Sequence, residues 1–386
     1  MTAAPLFFAI AGWILVAMAA LGSLYTLVAA IVVGRFFALR SPAPRRNDAV
    51  TLLKPLHGAE PRLLDNLSTF LALDHDGPVQ LLLGVQRRDD PAIAVVDALR
   101  TRFPAAHIDL VIDTRIHGAN GKIGNLINMA PHIAHPLLVL SDSDIAVEPD
   151  YLAQILAALG APGTGAVTCL YRGRGDAGFW SCFGAAGLDW HMLPDMVFGI
   201  STGMATPCMG STIALKAETL AMIGGLERFA DTLADDYAIG QAIVAQGLHL
   251  AVPPMLVTHA SADASLAALW RHEVRWGATI FGVERAGYAA AVIAMPLPLA
   301  LLAMPFHPVY GAVAVVAAWA VRTILALVIG RVTNSSPISL ALLPARDCFT
   351  FAGFIASFFS TSVDWRGSRL KMKRDGRIAA DPEISA

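Results

Sequence analysis

The chain has 386 residues, 55% of them hydrophobic and only 15% charged, with a net charge of −2. That apolar excess is more than a soluble domain carries, so part of the chain belongs in lipid, and the small net charge supplies no basic field for nucleic acid. The four cysteines (Cys169, Cys182, Cys208, Cys348) form no CxxC pair, which argues against a zinc knuckle or a disulfide framework.

In chain order, Leu6 to Gly34 contains no charged side chain and exceeds the roughly 20 apolar residues that span a hydrocarbon core. It predicts a transmembrane anchor over 1–40. Arg35, Arg40, Arg45 and Arg46 follow it, so by the positive-inside rule the next segment is cytosolic. Between 48 and 282, apolar runs of strand length alternate with helical periods. Val50–Leu56, Val79–Val85, His107–Ile112 and Pro136–Leu140 read as strands, and Arg62–Leu73, Ala92–Arg102 and Ile123–His132 as helices. This is the βαβ pattern of an α/β domain around a mostly parallel sheet. A second uncharged run, within 286–331, predicts a transmembrane hairpin turning near His307 and Pro308, with Arg322 snorkelling towards the cytoplasmic side. The last apolar stretch, 338–360, is interrupted by Pro344, Arg346 and Asp347, so 337–386 reads as an interfacial or re-entrant segment followed by a basic cytosolic tail (Arg366, Arg369, Lys371, Lys373, Arg374). The chain is thus expected to be a multi-pass protein of the inner (cytoplasmic) membrane.

Ligands gather at the carboxyl ends of strands in such sheets, and the acidic clusters fall there. Asp89 and Asp90 follow the strand Gln80–Val85; a charged surface loop is the bland alternative. Asp142 and Asp144 follow Leu137–Leu140, and on an extended chain they would point the same way. Paired carboxylates at a buried strand end ask for a cation, and oxygen ligands suit Mg²⁺ or Mn²⁺, although an ordinary turn or helix cap would look alike. Asp235 and Asp236 open a helix; Asp235 is the more natural cap of the two. Arg271 and Arg275 lie one turn apart on the helix that also carries Trp276. They suit a pyrophosphate, or equally a basic helix on a membrane surface.

Together these residues resemble the D,D,D,(Q/R)xxRW signature of inverting family-2-like glycosyltransferases of the GT-A (Rossmann-like) fold. Within that group the chain is most similar to the ceramide-glucosyltransferase branch and its hopanoid-associated bacterial relatives. The segments that carry the resemblance run from Leu52-Leu53-Lys54-Pro55-Leu56 to Asp364-Trp365-Arg366-Gly367. The resemblance implies a UDP-sugar donor held by Asp90 with Asp89, by Lys122 and Asn125 in a KxxN segment, and by Asp142. It implies a metal on Asp142 and Asp144, with Asp236 as the general base. Arg275 and Trp276 would hold the diphosphate and close the acceptor side, with Arg271 in the leading Q/R place. Leu170–Gly173, Asp189–Asp195 and Met295–Leu299 resemble the hopanoid-biosynthesis branch, which implies N-acetylglucosamine transfer to bacteriohopanetetrol; glucose transfer to ceramide is the alternative. A processive polysaccharide synthase needs more than three crossings to export its polymer, a scaffold would have lost some of the carboxylates, and a hydrolase would cleave the UDP-sugar without an acceptor.

Overall fold

The computed structural model describes residues 3–40, 43–44, 46–360, 362–365, 368–372 and 378–380. Arg45, Arg366, Gly367, Lys373 and Arg374 lie outside the described residues. Contacts divide the chain into two compact units, 1–38 with 178–204 and 263–361, and 39–177 with 205–262 and 362–386. The expected 48–282 domain is therefore not one contiguous unit: 178–204 and the end beyond 262 belong with the apolar helices.

The α/β unit is built on a seven-stranded sheet. Its strands are β1 (Val50–Pro55), β2 (Val79–Val85), β3 (His107–Ile112), β4 (Leu137–Leu140), β6 (Thr164–Thr168), β8 (Ile213–Lys216) and β9 (His249–Ala251), in the order β3-β2-β1-β4-β8-β6-β9. A small second sheet sets β10 (Leu256–Ser261) between β5 (Ile145–Ala146) and β7 (Leu170–Gly175). The strands β3, β2, β1 and β4 run parallel, with Leu53 opposite both Leu82 and Leu140, whereas β8 is antiparallel to both β4 and β6. This is the mostly parallel α/β arrangement expected from the sequence. Parallel strands covered on both faces must be apolar throughout, which is why Leu52, Leu53, Leu81, Leu82, Leu83, Leu138 and Val139 are all essentially inaccessible. A short antiparallel sheet, β11 (Ser362–Trp365), β12 (Ser368–Met372) and β13 (Ile378–Ala380), follows the last helix.

The expected strands 79–85 and 107–112 and the helix 92–102 form with those bounds. The helix expected over 62–73 is shorter, Leu63–Thr69, because Arg62 stands in the left-handed region (φ 57°), and Ser68 and Thr69 turn their hydroxyls onto the carbonyls of Leu64 and Asn66. The helix expected from Ile123 starts at Gly121, where the Asn120 side chain accepts the Ile123 N–H.

In the helical unit, three helices are long and apolar enough to cross a membrane among the described residues: Leu6–Ala38, Pro308–Thr333 and Leu340–Ser357. A further pair, Arg285–Ala294 and Pro296–Ala303, is bent by 68° at Met295, where Pro296 and Pro298 deprive the helix of backbone donors. The hairpin's second arm runs from Pro308, at the expected turn, to Thr333. Two local expectations change. Arg322 does not snorkel: it is 2% exposed and makes paired bonds of 2.9 and 2.8 Å to Asp347, with a third of 2.9 Å to the Trp190 carbonyl. Pro344, Arg346 and Asp347 do not interrupt the last segment either. Pro344 sits in the first turn of a continuous helix, Leu343–Ser357, where a missing N–H is harmless.

Candidate active site

The site is assembled at the carboxyl end of β4. Its strand ends at Leu140, and Ser141–Asp144 turn, with the Ile145 N–H closing on the Asp142 carbonyl at 3.4 Å. The extended geometry expected for Asp142 and Asp144 is thus absent, and the two carboxylates take different partners. Asp142 Oδ1 lies 2.7 Å from Lys122 Nζ, in the first turn of the helix Gly121–Met129, and the same ammonium lies 3.3 Å from Asp235 Oδ2. Burial opposes the charge on Lys122, but Asp142, Asp235 and Asp236 together hold it above the ordinary lysine value. Asp144 Oδ2 lies 3.3 Å from His259 Nε2 on β10, and His259 stacks on Tyr171 of β7 at 5.5 Å.

The backbone of Gly210 joins the second and third acidic motifs. Its carbonyl accepts the Asp142 N–H at 3.2 Å, and its N–H donates to Asp236 Oδ2 at 2.9 Å. A Cβ at this position would come 2.7 Å from Asp142 Oδ2 and 2.9 Å from Lys122 Nζ, so the approach requires glycine. Asp236 Oδ1 accepts the Tyr237 N–H at 2.8 Å. Burial, followed by the charge of Asp235, pushes Asp236 up to about 6, against the pull of Lys122 and the Tyr237 N–H. Asp235 is not the helix cap. Ala234 holds that place, and the Asp235 carboxylate accepts instead from Asn120 Nδ2 at 3.2 Å and pairs with Lys122.

The first motif occupies the ends of β1 and β2. Asp90 is buried, and its Oδ1 accepts from the N–H groups of Gly58 and Ala92, both at 2.9 Å. Gly58 adopts φ +72°, a conformation in which L side chains are strained. Asp89 is exposed and pairs with Arg87 at 2.7 Å. Asn125 is 3% exposed; its amide donates to the Gly84 and Leu56 carbonyls at 2.7 and 3.4 Å and so ties the two strand ends together. Arg271, Arg275 and Trp276 lie on the helix Leu266–Val283 of the helical unit, so the α/β unit gathers the aspartates and Lys122 without them.

Several contributors were not singled out from the sequence. Lys54 is fully buried at the end of β1; its Nζ donates to the Asp142 carbonyl at 2.7 Å and Ser141 Oγ at 3.1 Å, and it stands 3.7 Å from the centre of the Phe70 ring. Burial lowers it to about 7 despite the carboxylates of Asp144, Asp142 and Glu60. Ser143 Oγ donates to Glu60 Oε2 at 2.8 Å. A signal existed, since a lysine in the apolar run VTLLKPL and a histidine in LVTHAS each demand a buried partner.

Among the described residues no set of three or more His, Cys, Asp or Glu is arranged to hold a metal. The donor set nevertheless fits a divalent cation shared with a phosphate ligand, the usual habit of Mg²⁺ with one or two carboxylates. Asp142 and Asp144 stand two residues apart just beyond the end of β4, and Asp144 Oδ1 is buried with no hydrogen-bond partner among the described residues.

A family model described as Glycosyl transferase family 21 matches residues 14–378. The chain belongs to glycosyltransferase family 21. Within this family it is 25% identical over 241 residues to ceramide glucosyltransferase 3 of Caenorhabditis elegans, and 24% identical over 228 residues to ceramide glucosyltransferase 1 of the same organism. Each match takes in 59% of this chain, which spans about half the length of those relatives (49% and 48%). Among solved structures, the family 21 chain is similar to a mannosyltransferase from Pyrobaculum calidifontis in complex with GDP-mannose and Mn²⁺, at 20% identity and a TM-score of 0.49, covering 89% of this chain and 99% of that one.

Proposed function

We propose that this chain is an inverting glycosyltransferase that moves a hexose from a UDP-sugar to the hydroxyl of a membrane lipid of the ceramide kind. The observation that carries this reading is the convergence of Asp142, Asp235 and Asp236 on Lys122 and the Gly210 backbone at the end of β4. Asp90, Asp89, Lys122, Asn125 and Asp142 serve the donor. Asp142 and Asp144 would hold Mg²⁺ or Mn²⁺, which when bound offsets the charge developing on the departing diphosphate. Asp236 takes the proton from the acceptor hydroxyl as its oxygen forms a bond to the anomeric carbon; the bond from that carbon to the diphosphate breaks, and UDP leaves. One displacement inverts the centre and needs no covalent intermediate. Arg271 and Arg275 hold the diphosphate, and Trp276 closes the acceptor side. The named relatives are ceramide glucosyltransferases, which favours glucose and ceramide over the N-acetylglucosamine and bacteriohopanetetrol of the hopanoid resemblance. A UDP-sugar donor and the basic residues after the first helix support a cytosolic side for the α/β unit.

The test is incubation of membranes containing the chain with labelled UDP-glucose or UDP-N-acetylglucosamine and either ceramide or bacteriohopanetetrol, followed by lipid mass analysis. Glucosylceramide is the expected product. Glycosylated bacteriohopanetetrol alone would return the acceptor to the hopanoid branch, and UDP-sugar hydrolysis indifferent to lipid would replace the transferase with a hydrolase.

A further inference from the structure

Glu273 lies midway between Arg271 and Arg275 on the helix Leu266–Val283. At about 100° per residue it projects roughly opposite to the face that the two arginines share. Its carboxylate meets the guanidinium of Arg346, a 2%-exposed residue of the helix Leu343–Ser357. Arg346 is enclosed by aromatic rings, its guanidinium carbon 5.0 Å from the Phe183 centroid and 5.2 Å from that of Phe349. Its Nε and Nη1 find no hydrogen-bond partner among the described residues, so Glu273 is the acceptor that holds the group in place. Gly187 makes the room, since a Cβ there would come 2.7 Å from the guanidinium carbon. The next residue, Asp347, pairs the other way, with Arg322 of Pro308–Thr333. Two consecutive charges on one helix thus tie the arginine-bearing helix to one side and a membrane-length helix to the other.

Surplus structure of this kind calls for a reason. A buried ion pair recovers little or no net stability over an apolar pair of the same shape, so this one is not explained by stability. What it does supply is a restraint on rotation. An anchored Glu273 opposes turning of the helix about its axis and so holds the face bearing Arg271 and Arg275. We propose that Arg346, acting through Glu273, is a positioning residue that fixes the rotational setting of Arg271 and Arg275, the pair assigned above to the donor diphosphate. This rests on the donor reading above.

The test uses the full chain in nanodiscs with Mn²⁺, measuring UDP and uridine affinity by calorimetry alongside thermal stability. Arg346→Lys keeps the charge but loses the planar fork, and Glu273→Gln keeps the shape but loses the charge. Both are expected to weaken UDP on the order of 10- to 100-fold, the scale of a slight misplacement, while uridine, which lacks the diphosphate, is unaffected. The double variant Arg346→Met/Glu273→Met is expected to recover melting temperature without recovering UDP affinity. The inference is overturned if UDP affinity is unchanged in both single variants, if UDP and uridine weaken in parallel, or if affinity returns with stability in the double variant. Failure of the unaltered chain to bind UDP at all would instead remove the donor reading, and this inference with it.

Discussion

Asp236 gives both carboxylate oxygens to backbone N–H groups, from Gly210 and Tyr237, yet burial among Asp235 and Asp142 leaves it reluctant to ionise, near 6. A raised carboxyl of that kind is suited to accepting a proton at neutral pH. Asp236→Asn can accept only one of the two N–H groups, at a cost of roughly 1 kcal/mol, so the variant should fold and bind donor while losing on the order of 10²–10⁴ in turnover. Asp235→Asn keeps its contact with Asn120 and should lose far less. Near-normal turnover of Asp236→Asn would show that the base is another group. The sign of the pH dependence follows from the same shift. Below its folded pKa the carboxyl is protonated and cannot act, so turnover should rise with pH through a midpoint at or below about 6, since a bound cation would draw it lower. A profile without that acidic limb would contradict the assignment. Asp144 is argued on the orphaned oxygen: Asp144→Asn should weaken the Mn²⁺ dependence of UDP binding, measured by titrating the metal, and unchanged dependence would place the metal elsewhere. The carboxylates were legible because acidic pairs after apolar strands are rare and costly. Their partners were not: nothing in spacing says that Lys122 would bridge Asp142 and Asp235, or that Gly210, between the second and third motifs, would join them through its peptide.

At the scale of elements, legibility followed burial. The strands 79–85 and 107–112 are near-continuous apolar runs that a parallel sheet demands, and their bounds match the sequence reading. The small sheet of β5, β7 and β10 was not anticipated, because β5 is two residues long and β7, LYRGRG, places two arginines in a strand without alternating apolar residues. The charged interruptions of the last apolar segment misled in the opposite direction. Arg346 and Asp347 look like helix breaks in sequence, but each finds its counter-charge on another helix. That gives a prediction about stability. Arg322→Met would leave Asp347 buried with only His191, 3.0 Å away, as a polar partner among the described residues. Breaking such a pair costs on the order of 3–5 kcal/mol, and the remaining histidine argues for the lower end. Arg322→Met/Asp347→Leu should recover most of the loss. The readout is thermal unfolding in detergent, and a double variant as unstable as the single one would mean that the pair does more than neutralise itself.

For the whole molecule the question is how many times the chain crosses the membrane, and contacts within the helical unit bear on it through depth. The helix Ala3–Ala38 defines two depths, the near end at Ala38 and the far end at Leu6. The turn after the bent pair lies at the far end: Phe306 stacks on Phe8 at 6.0 Å, and the His307 and Tyr310 rings lie 4.5 and 4.7 Å from Trp13. At the other end Ile324 and Val328 share an apolar groove with Leu27, Ile31 and Arg35, so the chain returns to the near side by Asn334. The last helix starts from there, and at its end the Ser357 hydroxyl lies 2.9 Å from that of Tyr288, at the start of the bent pair's first arm, and packs against Gly277 in the helix before it. It begins and ends on one side, so although Leu340–Ser357 is long and apolar enough to span, we expect three crossings with that helix re-entrant. A polar pair at its middle, Arg346 and Asp347, suits a helix buried against protein rather than one facing lipid. The expected outcome is that a cysteine at Pro305 is labelled by an impermeant thiol reagent in intact cells, whereas one at Ser336 is labelled only after the membrane is opened, each compared with the parent chain. External labelling at Ser336 would put the 334–337 turn outside and make the last helix a true crossing.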